Sequence, residues 1–214
     1  MISPSGPRAA GKYGCSLLSI GASQAAGIEM LGHHWNVMEA RAEEFGQVAD
    51  RRQWRLVSQI HLAETREQAM ADVEFGLGDY FDYFRKVAAL PIVPEGGPTE
   101  LAAQVNKGGA GIIGTPDDCI EFIETLIAQS NGGFGTLLFQ AHEWANTDAT
   151  KKSYELFARY VLPHFDEFTR RTTESRDRVA ANRTEQMGAA IGAIGAAMTE
   201  HAEEQAAKAA GPEG

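Results

Sequence analysis

Strand-like and helix-like stretches alternate along this chain, and that alternation constrains its fold more than any other feature. A short, continuous apolar run at residues 15–20, ended by Gly21, suits a strand buried on both faces, and residues 54–62 and 135–140 are the next strand candidates. The opening residues 1–7 are rich in turn formers, and residues 8–13 read as a helix. Residues 23–50 read as helical in two pieces, with Asn36 and Glu39 spaced as an N-terminal cap. A capping box at Thr65 and Gln68 opens a long helix. Its apolar residues Val73, Leu77, Tyr80, Phe81, Phe84, Val87 and Ala88 share one face.

Residues 90–110 carry Pro91, Pro94, Pro98 and several glycines, and read as a connection. Thr115, Pro116 and two aspartates then mark a helix start, and Asn131-Gly132-Gly133 marks its stop. A last helix begins near Thr147 and presents Tyr154, Phe157 and Val161, with Pro163 expected to bend or break it. The resulting order, helix-strand-helix-strand-helix-strand-helix, predicts an α/β fold of parallel βαβ units. Three strands make about half a β/α barrel, or a small open sheet, and periodicity alone does not choose.

From about Thr172 the texture changes. Residues 173–214 hold no aromatic side chain and are rich in Ala, Gly and Glu. The expected organisation is therefore a globular part, residues 1–171, and a partly helical, partly disordered tail, residues 172–214. The whole chain of 214 residues has a formal net charge of −10, with its basic residues scattered among acids. That pattern argues against a nucleic-acid partner, which needs a basic face. Every apolar run is shorter than a membrane span requires. No signal peptide is visible, and Cys15 and Cys119 form no metal or redox spacing, so a cytoplasmic location with reduced thiols is expected.

Few residues suggest chemistry. His33 and His34 are adjacent, so on a helix they diverge and cannot share a metal as an i, i+4 pair would. No metal site is expected. Glu43-Glu44 reads as a solvated face, and Gly108 to Gly111 lacks the strand and helix context of a dinucleotide loop. No nucleophile elbow or phosphate-binding Walker loop is present. His142 and Trp144 follow the last strand. In a barrel that places them on the functional face, where they either line a pocket or pack and cap the loop itself.

Several longer strings carry a resemblance. They include SPSGPR at residues 3–8, AGKYG at 10–14, LLSIGA at 17–22 and HWNVME at 34–39. Further along come GLGDYFDYF at 76–84, IGTPDD at 113–118, NGGFG at 131–135, AHEWAN at 141–146 and SYELFARY at 153–160, with PHF at 163–165. In this order and spacing, over about residues 2–166, the chain resembles the second half of the bacterial-luciferase-like flavin-dependent monooxygenases, within the limonene-monooxygenase-like group.

The resemblance implies a luciferase-like TIM-type barrel seen from its middle to its end. It implies reduced FMN, or in some branches a deazaflavin, and insertion of one oxygen atom from O2 into a small hydrophobic substrate. A separate flavin reductase and a homodimer belong to the same expectation. Ser3, Ser5 and Gly6 match the loop that holds the flavin phosphate. Hydroxyls and glycine leading into a helix suit an anion, although such a turn taken alone is ordinary. Since only Met1 and Ile2 precede this loop, the chain is expected to be incomplete as an enzyme. A deazaflavin-dependent dehydrogenase or a non-catalytic partner subunit are the alternatives that the resemblance leaves open.

Overall fold

The computed structural model describes residues 3–20, 25–87, 96–165 and 167–209. The chain divides into two compact units, Met1–His164 and Phe165–Gly214.

In the first unit, helix α1 (Ser5–Tyr13) leads to strand β1 (Leu18–Ser19) and helices α2 (Ala25–Ile28) and α3 (Leu31–Glu44). One extended stretch follows, divided at Gln59 into β2 (Arg55–Ser58) and β3 (Ile60–Leu62). Next come α4 (Arg66–Val73), α5 (Leu77–Val87) and α6 (Pro98–Gly108), then β4 (Ile112–Gly114) and α7 (Pro116–Gln129). Strand β5 (Thr136–Phe139) and helix α8 (Thr147–Leu156) are followed by a π-helical turn, Phe157–Val161, and α9 (Leu162–Phe165).

All strand pairings are parallel. β1, β2 and β5 form one sheet in that order, and β3 pairs with β4. The three strands legible in the sequence thus lie side by side, with the 55–62 stretch in the centre. Successive carbonyls along a strand point to opposite sides, and each side of this stretch has its own partners. On one side, Arg55 donates to the Leu17 carbonyl of the β1 segment, and farther along Gln59 O accepts from Ile112 and Ala63 donates to Gly114. On the other side, Trp54 O accepts from Thr136 and Ser58 O accepts from Gln140. The fourth strand, β4, therefore extends the same edge as β1, one step farther along the central strand.

The helical boundaries repay comparison with the sequence. Asn36 lies inside α3 and caps nothing, because Leu31, His34, Trp35 and Met38 bury a continuous face from Leu31 onward. The long helix expected after Thr65 is two helices, α4 and α5. A side chain at Gly76, between them, would bring its Cβ 2.1 Å from the Glu143 carbonyl oxygen, so the chain turns there with backbone against backbone. The connection expected over residues 90–110 contains helix α6, while residues 88–95 lie outside the described residues. Pro98 starts α6, Gly109 ends it with φ 66°, and Leu101, Ala102 and Val105 are buried. Proline and glycine here delimit a helix rather than forbid one. At the last helix, the expected disturbance at Pro163 appears as the π-helical turn just before it. Proline offers no N–H to the preceding turn, so the helix widens there instead of keeping its i−4 ladder.

Two apolar clusters hold this unit. One joins Leu17, Leu31, Trp35, Met38, Trp54, Leu56 and Leu126, with Trp35 stacked on Trp54 at 5.1 Å. The guanidinium of Arg51 lies 4.6 Å over the Trp35 ring and donates to the carbonyls of Ser130 and Gly133 at 2.9 Å, which pins the Asn131–Gly133 turn. The second cluster joins Val73, Leu77, Phe81, Leu101, Val105, Ile113 and Trp144.

Helix α7 begins with the capping box that its sequence predicts. Thr115 Oγ1 accepts from the Asp118 N–H at 3.3 Å, and Asp118 Oδ2 accepts from the Thr115 N–H at 2.9 Å. Arg66 also grips this carboxylate, which is held down at about 2 chiefly by that guanidinium. A carboxyl with a depressed folded pKa stabilises the fold above its unfolded value near 3.8, and that stability is lost as pH falls towards 2. Asp118→Asn is expected to cost about 1–2 kcal/mol at pH 7 and little at pH 2. Urea unfolding at both pH values checks this, and an equal cost at both would remove the electrostatic account.

The second unit consists of α10 (Glu167–Ala181) and α11 (Arg183–Ala209). The tail thus holds two long helices among its described residues. All of its described side chains beyond residue 173 are exposed. No helix among the described residues is long and apolar enough to cross a membrane.

Candidate functional site

The sequence points to two places, and the structure puts them on separate elements. Ser3, Ser5 and Gly6 stand at the start of α1, all three exposed. Ser3 Oγ accepts from the Ser5 N–H at 3.2 Å, and the two hydroxyls are 3.1 Å apart. The residue before the helix is Pro4, which supplies no side-chain cap. Pro7 has no N–H, and the Ser5 N–H and the Ser3 hydroxyl are spent within the turn, so the donors left at this end are the Gly6 amide and the Ser5 hydroxyl. The space that a Cβ on Gly6 would occupy is open within 4 Å. Partial positive charge from the helix gathers at this end. The arrangement can accept an anion of phosphate size.

His142 and Trp144 sit in the loop from β5 to α8, at the C-terminal end of the sheet. Trp144 is fully buried, edge-on to Tyr80 at 5.7 Å and stacked on His142 at 4.0 Å. His142 is half-buried, and both of its ring nitrogens are engaged. Nε2 lies 2.9 Å from the Ile60 carbonyl, and Nδ1 accepts from the Trp144 N–H at 3.3 Å. These partners require a neutral ring with its proton on Nε2. Burial pushes the imidazole down to about 4, helped by the nearby His61.

The bond to Ile60 has a structural meaning. The β5 ladder ends where Gln140 N donates to Ser58 O. Two residues on, the Ile60 carbonyl faces the same side and takes the His142 ring as donor. Farther still, the Leu62 N–H donates to Ser153 Oγ of α8 at 2.9 Å. Side chains thus continue a ladder that the backbone of β5 has left, giving the Ile60 carbonyl and the Leu62 N–H partners there.

Sequence reasoning missed the polar groups around this loop. Gln59 Nε2 donates to the Tyr80 hydroxyl and lies 3.4 Å from Gln140 Oε1. Desolvation raises the Tyr80 hydroxyl pKa. His61 is fully buried with Nε2 3.2 Å from Asp72 Oδ2, while its Nδ1 has no partner among the described residues. Burial lowers the His61 pKa more strongly than Asp72 raises it. Ser58 Oγ and Trp144 Nε1 are likewise buried without a partner among the described residues. The available signal was Ser58, Gln59 and His61 interrupting an otherwise largely apolar strand.

No hydrogen bond or ring contact among the described residues joins the Ser3–Gly6 turn to the His142 loop. No group of three or more His, Cys, Asp or Glu residues suited to a metal occurs among the described residues. Cys119 is buried and its thiol is pushed up to about 12, so it is not a nucleophile at neutral pH.

Comparison with known proteins supplies what geometry alone does not. No protein-family model matches the chain. Limonene 1,2-monooxygenase of Rhodococcus erythropolis is 42% identical over 169 residues, covering 77% of this chain and 42% of that protein. 4-Hydroxyprotoasukamycin monooxygenase of Streptomyces nodosus subsp. asukaensis is 33% identical over 192 residues, covering 88% of this chain and 52% of that protein. The chain therefore spans about half the length of the curated relatives it matches. Among solved structures, the oxygenating constituent of 3,6-diketocamphane monooxygenase from Pseudomonas putida, a type II Baeyer-Villiger monooxygenase in complex with FMN, superposes with a TM-score of 0.53 at 24% identity. It covers 73% of this chain and 44% of that one. This likeness shows the fold alone: the parallel strands and surrounding helices form part of a β/α barrel.

Proposed function

We propose, from the premise that this chain shares its sequence and fold with luciferase-like monooxygenases of the limonene-monooxygenase-like group, that it forms part of a flavin-dependent monooxygenase. The reaction class is transfer of one oxygen atom from O2 to a small hydrophobic molecule, with reduced FMN delivered by a separate reductase. The observation that carries the reading is the 42% identity to a named monooxygenase over 169 residues.

Bound FMN would supply the redox chemistry. This chain's contribution is to hold and orient it. The Gly6 amide and the Ser5 hydroxyl would receive the phosphate, aided by the α1 dipole, while Ser3 holds the turn through the Ser5 N–H. The donor set fits a phosphate: it is exposed, glycine keeps the approach open, and no carboxylate stands within the turn. His142 shapes the loop beyond β5 from a neutral state and offers no free proton at physiological pH. Trp144, stacked between His142 and the α5 aromatics, serves as the floor of that loop.

Titration of the chain with FMN and with riboflavin, followed by fluorescence quenching, tests the assignment. FMN is expected to bind at least about tenfold more tightly than riboflavin. Ser5→Asp, which sets a negative charge against the phosphate, is expected to abolish that preference. Equal binding of the two flavins, or a preference untouched by Ser5→Asp, would move the phosphate elsewhere.

A further inference from the structure

Strands β2 and β5 present two different faces. Leu56 and Leu137 join the apolar cluster that Trp35 of α3 and Leu126 of α7 complete. Side chains alternate along a strand, so Leu18, Val57 and Leu138 turn to the opposite face, where the register sets Val57 beside Leu138 and Leu18 beside Arg55. Leu18 and Leu138 are 54% and 39% exposed. In a β/α barrel the face turned away from the helices lines the interior, and chemistry collects at its C-terminal end.

At that end the face changes from apolar to polar. Two residues beyond Val57 and Leu138, Gln59 and Gln140 stand side by side, with Gln59 Nε2 3.4 Å from Gln140 Oε1. Gln59 Nε2 also donates to the Tyr80 hydroxyl, which α5 brings to the strand end. Gln59 is buried, Tyr80 is half-buried and Gln140 is exposed. Phe84 and Trp144 pack against the Tyr80 ring at 4.9 and 5.7 Å and hold it there.

The hydrogen-bond inventory leaves a definite remainder. A primary amide has two N–H groups and one carbonyl oxygen. Gln59 turns its N–H groups on Tyr80 and Gln140. The Tyr80 oxygen therefore accepts, and its own hydrogen has no acceptor among the described residues. Gln140 accepts through Oε1, and its N–H groups have no acceptor among the described residues. Two uncharged donors thus remain at the rim of an apolar face. Such a pair suits a carbonyl oxygen on an otherwise apolar molecule. A bare hydrocarbon would cover both donors and leave them unused, which is costly.

We infer that Tyr80 and Gln140, positioned by Gln59, form a carbonyl-oxygen subsite at the end of the Leu18, Val57 and Leu138 face. The inference rests on the monooxygenase reading for its choice of small-molecule ligands. The carbonyl comes from a substrate ketone or from the ring system of the flavin, and both would use the same donors.

Proton–nitrogen correlation spectra of the full chain test it, read at the Gln140 side-chain amide and the Leu138 backbone amide. The probes are cyclohexanone, methylenecyclohexane, which has the same skeleton without the oxygen, and riboflavin, each added alone. A carbonyl probe is expected to move both signals, and methylenecyclohexane is not expected to move the Gln140 amide. Gln140→Leu and Tyr80→Phe, read at Leu138, are each expected to weaken that probe about fivefold to tenfold. Gln140 is exposed, so its replacement keeps the test open if Tyr80→Phe disturbs the fold. The probe whose affinity falls identifies the source, cyclohexanone for a substrate ketone and riboflavin for the flavin ring. Riboflavin lacks the phosphate, so this outcome is separate from the FMN preference and from Ser5→Asp. A Gln140 amide that no probe moves, one that methylenecyclohexane moves as far as cyclohexanone, or affinities that Gln140→Leu leaves unchanged would overturn the inference.

Discussion

Replacing Trp54 with alanine is expected to destabilise the first unit by about 3–5 kcal/mol, enough to unfold a domain of ordinary stability at moderate urea. Trp54 is fully buried where three elements meet. Its ring stacks on Trp35 of α3 at 5.1 Å, and its Nε1 donates to Ser19 Oγ of β1 at 2.9 Å. Its backbone carbonyl also accepts from Gly135 and Thr136 at the start of β5. Truncation therefore leaves a cavity and an unpaired buried hydroxyl together. Trp54→Phe separates the two terms, because it keeps most of the packing and loses only the hydrogen bond, at an expected cost of about 1–2 kcal/mol. Urea midpoints for the two variants measure the difference. A tolerated alanine, below about 1 kcal/mol, would mean that the α3–sheet contact is not a determinant of this fold.

The second large effect is acid lability centred on His142. Its folded pKa of about 4 lies below the ordinary value of 6.5. A histidine with a depressed folded pKa is a group whose unfolded form binds the proton first. Its contribution is fully present above pH 6.5 and is lost as pH falls through the folded value. Between those two pH values the loss approaches 1.36 kcal/mol per unit, or about 3 kcal/mol in total. The cause is chiefly burial, which disfavours the charged ring, with the nearby His61 acting in the same direction; a protonated Nδ1 would also meet the Trp144 N–H that now donates to it. His61, buried and also shifted down, adds a loss of the same sign in the same direction of pH. His142→Gln keeps a donor for the Ile60 carbonyl but cannot titrate. Its stability should therefore fall less steeply between pH 6.5 and 4 than that of the wild type, measured by urea unfolding at intervals of half a pH unit. Parallel curves for the two proteins would show that the imidazole does not carry the dependence.

Much of the fold was legible because its signals are local. Thr65, Thr115 and the NGG turn act within four residues of themselves, and each lies where capping and turn chemistry predict. The three main strands were found because short, largely apolar stretches stand out between turn formers and helix caps. The shorter β4 was not, because three residues carry too little periodicity, and its strand character comes from the edge of β3 that it meets. Helix α6 was hidden by its own delimiting prolines and glycines.

The candidate site divides in the same way. Ser3, Ser5 and Gly6 were legible as a resemblance, and the anion-binding role proposed for them rests on elementary helix physics. For His142 and Trp144, sequence position could not choose between lining a pocket and packing a loop. The structure shows a neutral imidazole that continues the ladder of the central strand and an indole buried beneath it. Gln59, His61, Asp72 and Tyr80 entered only through contacts between residues 11 and 21 positions apart, beyond any local pattern.

The sequence by itself determined the helix starts at Thr65 and Thr115, the stop at Asn131-Gly132-Gly133, three of the strand segments and the family resemblance, because capping, turn and burial preferences act over a few residues. Only the tertiary structure decided which strand lies beside which, that Gly76 splits one apolar face into two helices, and that His142 spends both ring nitrogens on the backbone. Those outcomes depend on groups far apart in the chain competing for the same buried space and the same hydrogen bonds, and no local pattern records that competition.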